Sequence, residues 1–309
     1  MSHKKLLGVR LPPAVALILL FTAVLTLCLP SCGEDGEPAR GSAGATEDIT
    51  SSEPDGTDPA DTAAAQTTAL PPETGTSPET QEEKKVSFKM KIASYNIQHA
   101  AKGIDAVAKI LKQVDADIVG IQEVDYLNTR SGGADQPKLI AEAAGYPYYR
   151  FTRAIDYRGG QYGTMILSKY PIVSFTVKGL ASGTEESRSI GHAVLDVDGT
   201  EVHFFNTHLS YESLSLRTGQ FEAISRMLSD CRHYVLTADF NTQDFSEFGV
   251  LSAPLMINRN NSRHVTFPGG SSAIDNIILS DCFTEISAGT IVSDASDHYI
   301  LFAETVFEN

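Results

Sequence analysis

The sequence predicts an α+β domain over residues 86–309, built as a two-layer sheet core covered by helices. Three observations lead there. Eleven short runs rich in β-branched and aliphatic residues recur between 88 and 306, whereas only three stretches carry helical spacing. The stretch 147–206 strings strand signals together with no helix between them, which excludes the regular alternation of a doubly wound parallel sheet. Turn signals there, such as Asp198-Gly199 between two runs, favour antiparallel pairing.

The chain begins differently. Lys4, Lys5 and Arg10 precede the apolar stretch LPPAVALILLFTAVLTLCLP, a signal-peptide pattern. It ends in LPSC, with a small residue before Cys32 and Gly33 after it, which resembles a bacterial lipobox with Cys32 as the lipidated residue. Cys28, preceded by the bulky Leu27, suits that role less well, and an uncleaved membrane anchor is the alternative, since the run approaches the roughly 20 residues needed to span a bilayer. Either way the rest of the chain is expected outside the cytoplasmic membrane, lipid-anchored on the extracytoplasmic side in the first reading.

Residues 33–85 are rich in Gly, Ala, Thr, Ser, Pro and acids and poor in large apolar side chains, so they cannot offset their own ordering entropy. A disordered tether with an rms reach of about 40 Å is expected. It holds 13 acids and 3 bases, against 26 acids and 18 bases in 86–309. The folded part is thus mildly acidic and shows no Lys/Arg-rich stripe for gripping nucleic acid. A monomer is expected.

Within the folded part, strands are expected at 88–95, 117–122, 147–153, 163–168, 172–178, 190–197, 201–206, 233–238, 273–279, 286–292 and 299–306, with helices at 103–115, 136–144 and 215–229. The first helix sets Ile104, Val107, Ile110 and Leu111 on one face. No internal repeat of fixed period is visible. Cys231 and Cys282 are the only cysteines of this part. They lack metal-site spacing, and whether they pair is open.

Six short polar sequences stand where apolar runs end: SYN at 94–96, QE at 122–123, NTH at 206–208, ADFN at 238–241, ID at 274–275 and SDH at 296–298. Strand side chains alternate faces, so Asn206 with His208, and Asp239 with Asn241, should share a side. One sheet rim would then collect Asn96, Glu123, His208, Asp239, Asn241, Asp275, Asp297 and His298. Acids, amides and imidazoles without Lys or Cys suit a hard metal and a phosphoester. Glu123 ends a very apolar run, where a cation would satisfy its charge. Asp239 and Asn241 would accept the proton of an attacking water and orient it. Imidazolium groups at His208 and His298 would donate to phosphoryl oxygens, one of them supported by Asp275 or Asp297. Singly, each residue has a bland reading as a cap, an Asx-turn or a core histidine.

The ordered motifs IASYNI, DIVGIQEVD, YGTMILSKYPI, FFNTHL, LTADFN, AIDNIILS and SDHYIL closely resemble the endonuclease/exonuclease/phosphatase superfamily across nearly all of 88–306. The resemblance implies a four-layer α/β-sandwich, two sheets face to face with helices outside. It implies Mg²⁺ or Mn²⁺ held mainly by Glu123, with Asn96 nearby and Asp297 contributing. It further implies Asp239 and Asn241 at the water, and His298 at the phosphate supported by Asp275, with His208 as a second phosphate contact. Tyr162 falls where the family often places an active-site loop, and Arg130 and Arg188 are candidates for a substrate anion. The membrane location, the acidity and the short domain favour a small or lipid-linked phosphodiester. An extracellular nuclease, and a non-catalytic surface-binding lipoprotein on a retired fold, are the alternatives.

Overall fold

Strand β1 (Ser87–Asn96) and strand β2 (Ile118–Tyr126) pair in parallel, joined by helix α1 (Ile104–Val114). They form the centre of one six-stranded sheet in a computed structural model that describes residues 85–252 and 255–309. The leader, Cys28, Cys32 and the tether up to residue 84 lie outside the described residues. Among the described residues, no helix is long and apolar enough to cross a membrane.

Outside β1 lie β12 (Ile300–Glu308) and then β11 (Phe283–Ile291), and outside β2 lie β4 (Gly160–Ser168) and then β3 (Tyr148–Tyr157), all antiparallel to their neighbours. The second sheet repeats this plan. Its parallel centre is β7 (Thr200–His208) and β8 (Tyr234–Asp239), joined by helix α3 (Leu214–Leu228). Strands β6 (Arg188–Val197) and β5 (Ile172–Leu180) lie beyond β7, while β10 (Asp275–Leu279) and the two-residue β9 (Leu255–Met256) lie beyond β8. The halves share this topology although their sequences show no repeat. Its consequence is that two parallel pairs, each read outward along its strands, end in polar residues: Asn96 opposite Gln122, and His208 opposite Asp239.

Alternation along the central strands divides the core into layers. Ile92, Ile118 and Ile166 of the first sheet meet Phe204, Val235 and Ile277 of the second in the space between them. The next residues along, Ala93, Val119 and Leu167, turn outward under α1 and α2 (Gln136–Ala144). Phe205, Leu236 and Ile278 turn outward under α3. Strands covered on both faces have no polar side to present, which is why they read as unbroken apolar runs. The result is the predicted four-layer sandwich, two mainly antiparallel sheets with helices outside.

At one point the sheets approach too closely for any side chain. A Cβ added to Gly120 would lie 2.0 Å from Thr237 Oγ1 and 2.5 Å from Asn206 Oδ1. There Asn206 spans the gap, donating from Nδ2 to the Ile121 and Met165 carbonyls at 2.9 Å each and accepting from Gln122 Nε2 at 2.8 Å. This polar tie is fully buried and directly supports the rim.

Several boundaries differ from expectation. Strand β2 does not end at residue 122 but continues to Tyr126 through a bulge between Ile121 and Val124. Glu123 occupies that bulge with a left-handed φ of +58°, so its carboxylate is turned to the rim from within a strand. Strand β9 and the short 3₁₀ turns at 98–100, 129–131, 247–251 and 268–270 carry too few residues for a periodic signal.

Candidate active site

The six polar sequences come together at one rim. Asn96, closing β1, donates from Nδ2 to Glu123 Oε1 at 3.1 Å and to Asp239 Oδ2 at 3.0 Å, across 143 residues of chain. Its own Oδ1 accepts from the Gln98 amide at 3.0 Å. Three consecutive residues, Gln98, His99 and Ala100, hold positive φ values of 46–52°, a costly backbone conformation of the kind that clusters at functional sites. This turn sets Gln98 Nε2 3.0 Å from Asp297 Oδ2, and His99 Nδ1 3.8 Å from Glu123 Oε2.

Asp239 closes β8 and is the hub. Its Oδ1 accepts from the Asn241 amide at 3.0 Å, an Asx-turn that holds Asn241 at a φ of +53°. Its Oδ2 faces His208 Nε2 at 3.5 Å and His298 Nε2 at 3.7 Å. His298 Nδ1 donates to Asp275 Oδ2 at 2.8 Å, while Ser296 ties the SDH loop to β1 by donating to the Asn96 carbonyl at 2.8 Å. Phe267 covers the imidazole, ring centroids 5.0 Å apart. Asp275, Asp239 and His298 are all nearly inaccessible, at 0%, 1% and 5% exposure.

Charge states follow from these contacts. Burial works against the His298 imidazolium, but the charge and hydrogen bond of Asp275, with Asp239 and Asp297 near, raise its pKa to about 10. His208 goes the other way. Burial, the Arg188 cation and His298 lower it to about 3, against the pull of Glu123. Asn241 Nδ2, 3.0 Å from His208 Nε2, then donates to a neutral ring. The expectation of two imidazolium groups is thus corrected to one, because only His298 has a carboxylate in hydrogen-bond contact. The Asp239 carboxyl is pushed well above the usual range by burial and by Asp275. Burial alone would raise Glu123, yet His99, His208, Asn96 and His298 together bring it down to about 2.

Glu123, Asp239, Asn241, His208, His298 and Asp297 line one cleft of about 340 Å³, whose wall also carries Tyr162 and Arg188. Burial and the nearby charges of Glu123 and Glu186 keep the Tyr162 phenol protonated. Arg188 is 4% exposed and pairs with Glu186 at 2.9 Å. Arg130 is not in the cleft. Its guanidinium is spent on a two-pronged contact with the buried Asp125 carboxylate, at 3.0 and 2.6 Å, and lies over the Tyr157 and Tyr162 rings. It meets a protein acid rather than a substrate anion.

A model of the Endonuclease/Exonuclease/phosphatase family matches residues 93–298, a span that contains all six strand-end sequences. The chain belongs to this family. Its members are phosphoesterases and nucleases that depend on a divalent metal. Solved structures agree on the fold. A family member from Beutenbergia cavernae superposes with a TM-score of 0.62 at 19% identity, over 71% of this chain and 72% of that one. A mannosyl-6-phosphatase from Bacteroides thetaiotaomicron gives 0.55 at 20%, over 71% and 100%. D. rerio TDP2 complexed with a single-strand DNA product gives 0.56 at 16%, over 70% and 98%. No curated protein matches.

The family's metal can be tested against the residues present. Asp239, Asp275 and His298 bring ligand-type atoms within 4.8 Å of one another, but His298 Nδ1 is hydrogen-bonded to Asp275 and its Nε2 faces Asp239 at 3.7 Å, so both ring nitrogens are already turned to the two acids. Glu123 fits better. Asn96 turns its amide N–H, not its oxygen, to Glu123 and so orients that carboxylate. The Glu123 side chain is 25% exposed, Oε2 faces only the distant His99, and the Asp297 carboxylate lines the same cleft. The two carboxylates are hard oxygen donors of the kind Mg²⁺ and Mn²⁺ take.

Sequence reasoning passed over Gln98, His99, Ser296 and Phe267. Ser296 stood inside SDH and Gln98 two residues past SYN, so position was a usable signal for those. Phe267 lies in an irregular loop and gave none.

Proposed function

We propose that this chain is a metal-dependent phosphodiesterase that hydrolyses a small or lipid-linked phosphodiester outside the cytoplasm by in-line attack of water. The observation that carries this reading is the buried Asp275–His298 hydrogen bond behind a cleft that His298 lines together with Asp239 and Glu123. Asp239, with its raised pKa, suits a general base that takes the proton of the attacking water. Asn241, fixed by the Asx-turn, orients that water and the phosphate. The His298 imidazolium places its Nε2–H where charge grows on the phosphoryl oxygens, and Asp275 keeps it charged. His208 contributes a neutral polar contact, held by Asn241. Mg²⁺ or Mn²⁺, held by Glu123 with Asp297 while Asn96 orients the Glu123 carboxylate, would neutralise charge on the phosphoryl and leaving oxygens when bound.

A cleft of this size fits a headgroup rather than a duplex. The net acidity of 86–309 also disfavours a polyanion. Lipidation at Cys32 would hold the domain on the outer side of the cell membrane, near lipid-linked substrates. The mass of the membrane-extracted protein tests that step, and an intact Met1 would overturn it.

The decisive experiment is hydrolysis of a panel of phospholipids, inositol phosphates, single-stranded and duplex nucleic acids and phosphomonoesters, with Mg²⁺, with Mn²⁺ and with EDTA. Metal-dependent cleavage of a small or lipid diester is expected. Preference for nucleic acid would establish the nuclease reading, and no cleavage of any member would leave a binding protein.

A further inference from the structure

A second cluster of ligand-type side chains lies on the outer face of the second sheet, on the side that α3 covers. His192 comes from β6 and His203 from β7, with His192 Nε2 and His203 Nδ1 only 2.9 Å apart. Cys231 comes from the turn between α3 and β8, and ligand atoms of the three residues all fall within 4.8 Å of one another. All three are half-buried, so an ion can reach them. His203 is five residues before His208 on the same strand, about 17 Å at the usual rise. The cluster is therefore separate from the cleft.

The surroundings of His203 are those of a metal ligand. Its Nε2 lies 3.2 Å from Glu201 Oε1, and a ring N–H given to a carboxylate leaves the other nitrogen as the lone pair and fixes the ring. That other nitrogen, Nδ1, is the one aimed at His192. The His192 ring in turn lies flat on Phe205, centroids 4.1 Å apart at 10°, so its orientation is also set. The other thiol among the described residues, Cys282, contacts the Arg232 carbonyl and is not part of the group.

We propose that His192, His203 and Cys231 form a second metal site, for a borderline-soft divalent ion of the zinc class. Two imidazoles and a thiolate prefer such an ion, whereas the oxygen-lined cleft prefers Mg²⁺ or Mn²⁺. Without metal, His192 Nε2–H donates to His203 Nδ1 and the thiol keeps its hydrogen. Binding moves the His192 ring proton to its Nδ1 and displaces the thiol hydrogen, so one proton enters solvent for each ion bound. The ligands tie the α3–β8 turn to β6 and β7, and β8 is the strand that ends in Asp239. The role assigned is structural, steadying the crossover that feeds the active-site hub.

The test is a Co²⁺ titration of the purified full chain with Mg²⁺ in excess, Co²⁺ serving as a spectroscopic stand-in for Zn²⁺. Expected are one equivalent bound with a near-ultraviolet thiolate-to-cobalt band, displacement by Zn²⁺, about one proton released, and an upward shift in unfolding temperature. Cys231→Ser should abolish the band and His203→Ala should weaken binding at least about 10-fold, while Cys282→Ser should retain the band. Absence of the band in the unsubstituted protein at saturating Co²⁺ overturns the proposal. So does a band that persists unchanged in Cys231→Ser, or one lost in Cys282→Ser.

Discussion

His298 donates from Nδ1 to Asp275 at 2.8 Å, and that bond leaves its Nε2 directed at Asp239, 3.7 Å away. Asp275 thus acts on the reaction through the orientation and charge of His298. Asp275→Asn keeps the shape but removes the charge, and should lower kcat about 10- to 100-fold with a small effect on KM. His298→Ala should lose at least as much, and the double variant little more than His298→Ala alone, since the two act as a unit. Steady-state kinetics on whichever phosphoester is cleaved reads all three.

The same pair predicts a pH dependence of stability. The folded His298 has a pKa raised to about 10, against about 6.5 in an unfolded chain. The stabilisation it provides is therefore complete below about pH 6.5 and is lost as pH rises through about 10. Denaturant midpoints of the unsubstituted protein and of His298→Gln should converge across that window. A gap that stays constant would show that His298 is not charged in the fold.

Asp239 must be ionised to accept a proton. Because burial and Asp275 raise its pKa, activity should fall on acidification well above about pH 4, where an ordinary carboxylate titrates. The acid limb of kcat/KM locates it, and Asp239→Asn should lower turnover by about 10²- to 10⁴-fold.

Gly120→Ala places a methyl group against Thr237 and Asn206 at the closest approach of the sheets. A loss of about 1–3 kcal/mol is expected, with a fall of several degrees in Tm by calorimetry.

Arg188 is the guanidinium on the cleft wall, nearly inaccessible and paired with the more exposed Glu186. Arg188→Met should raise KM about 10- to 100-fold, the worth of a charge-assisted hydrogen bond. It should also let His208 titrate at higher pH, because the Arg188 cation helps to hold its pKa down; NMR of the imidazole reads this.

The sequence by itself determined the local facts. Runs such as VHFF and HYVLT are mainly apolar, and their Phe204, Phe205, Val235 and Leu236 proved to be covered on both sides of the sheet. Polar residues at their ends marked the rim, because only there does a doubly buried strand reach solvent. Tertiary structure decided what those residues meet. The bond from Asn96 to Asp239 joins two sheets, and the order of strands within sheets is not written in the periodicity of any one of them. Charge was likewise decided late: His208 and His298 are the same side chain in similar motifs and both are buried, but burial and the Arg188 cation make the first neutral, whereas Asp275 keeps the second cationic against its burial. Arg130 met Asp125, five residues earlier in the chain, and Cys231 met two histidines 28 and 39 residues before it in sequence. The physical reason is common to all of these. Burial follows from the pattern of a single strand or helix, whereas a pKa, a ligand set or an ion pair depends on groups that only the packing of separate elements brings within a few ångströms.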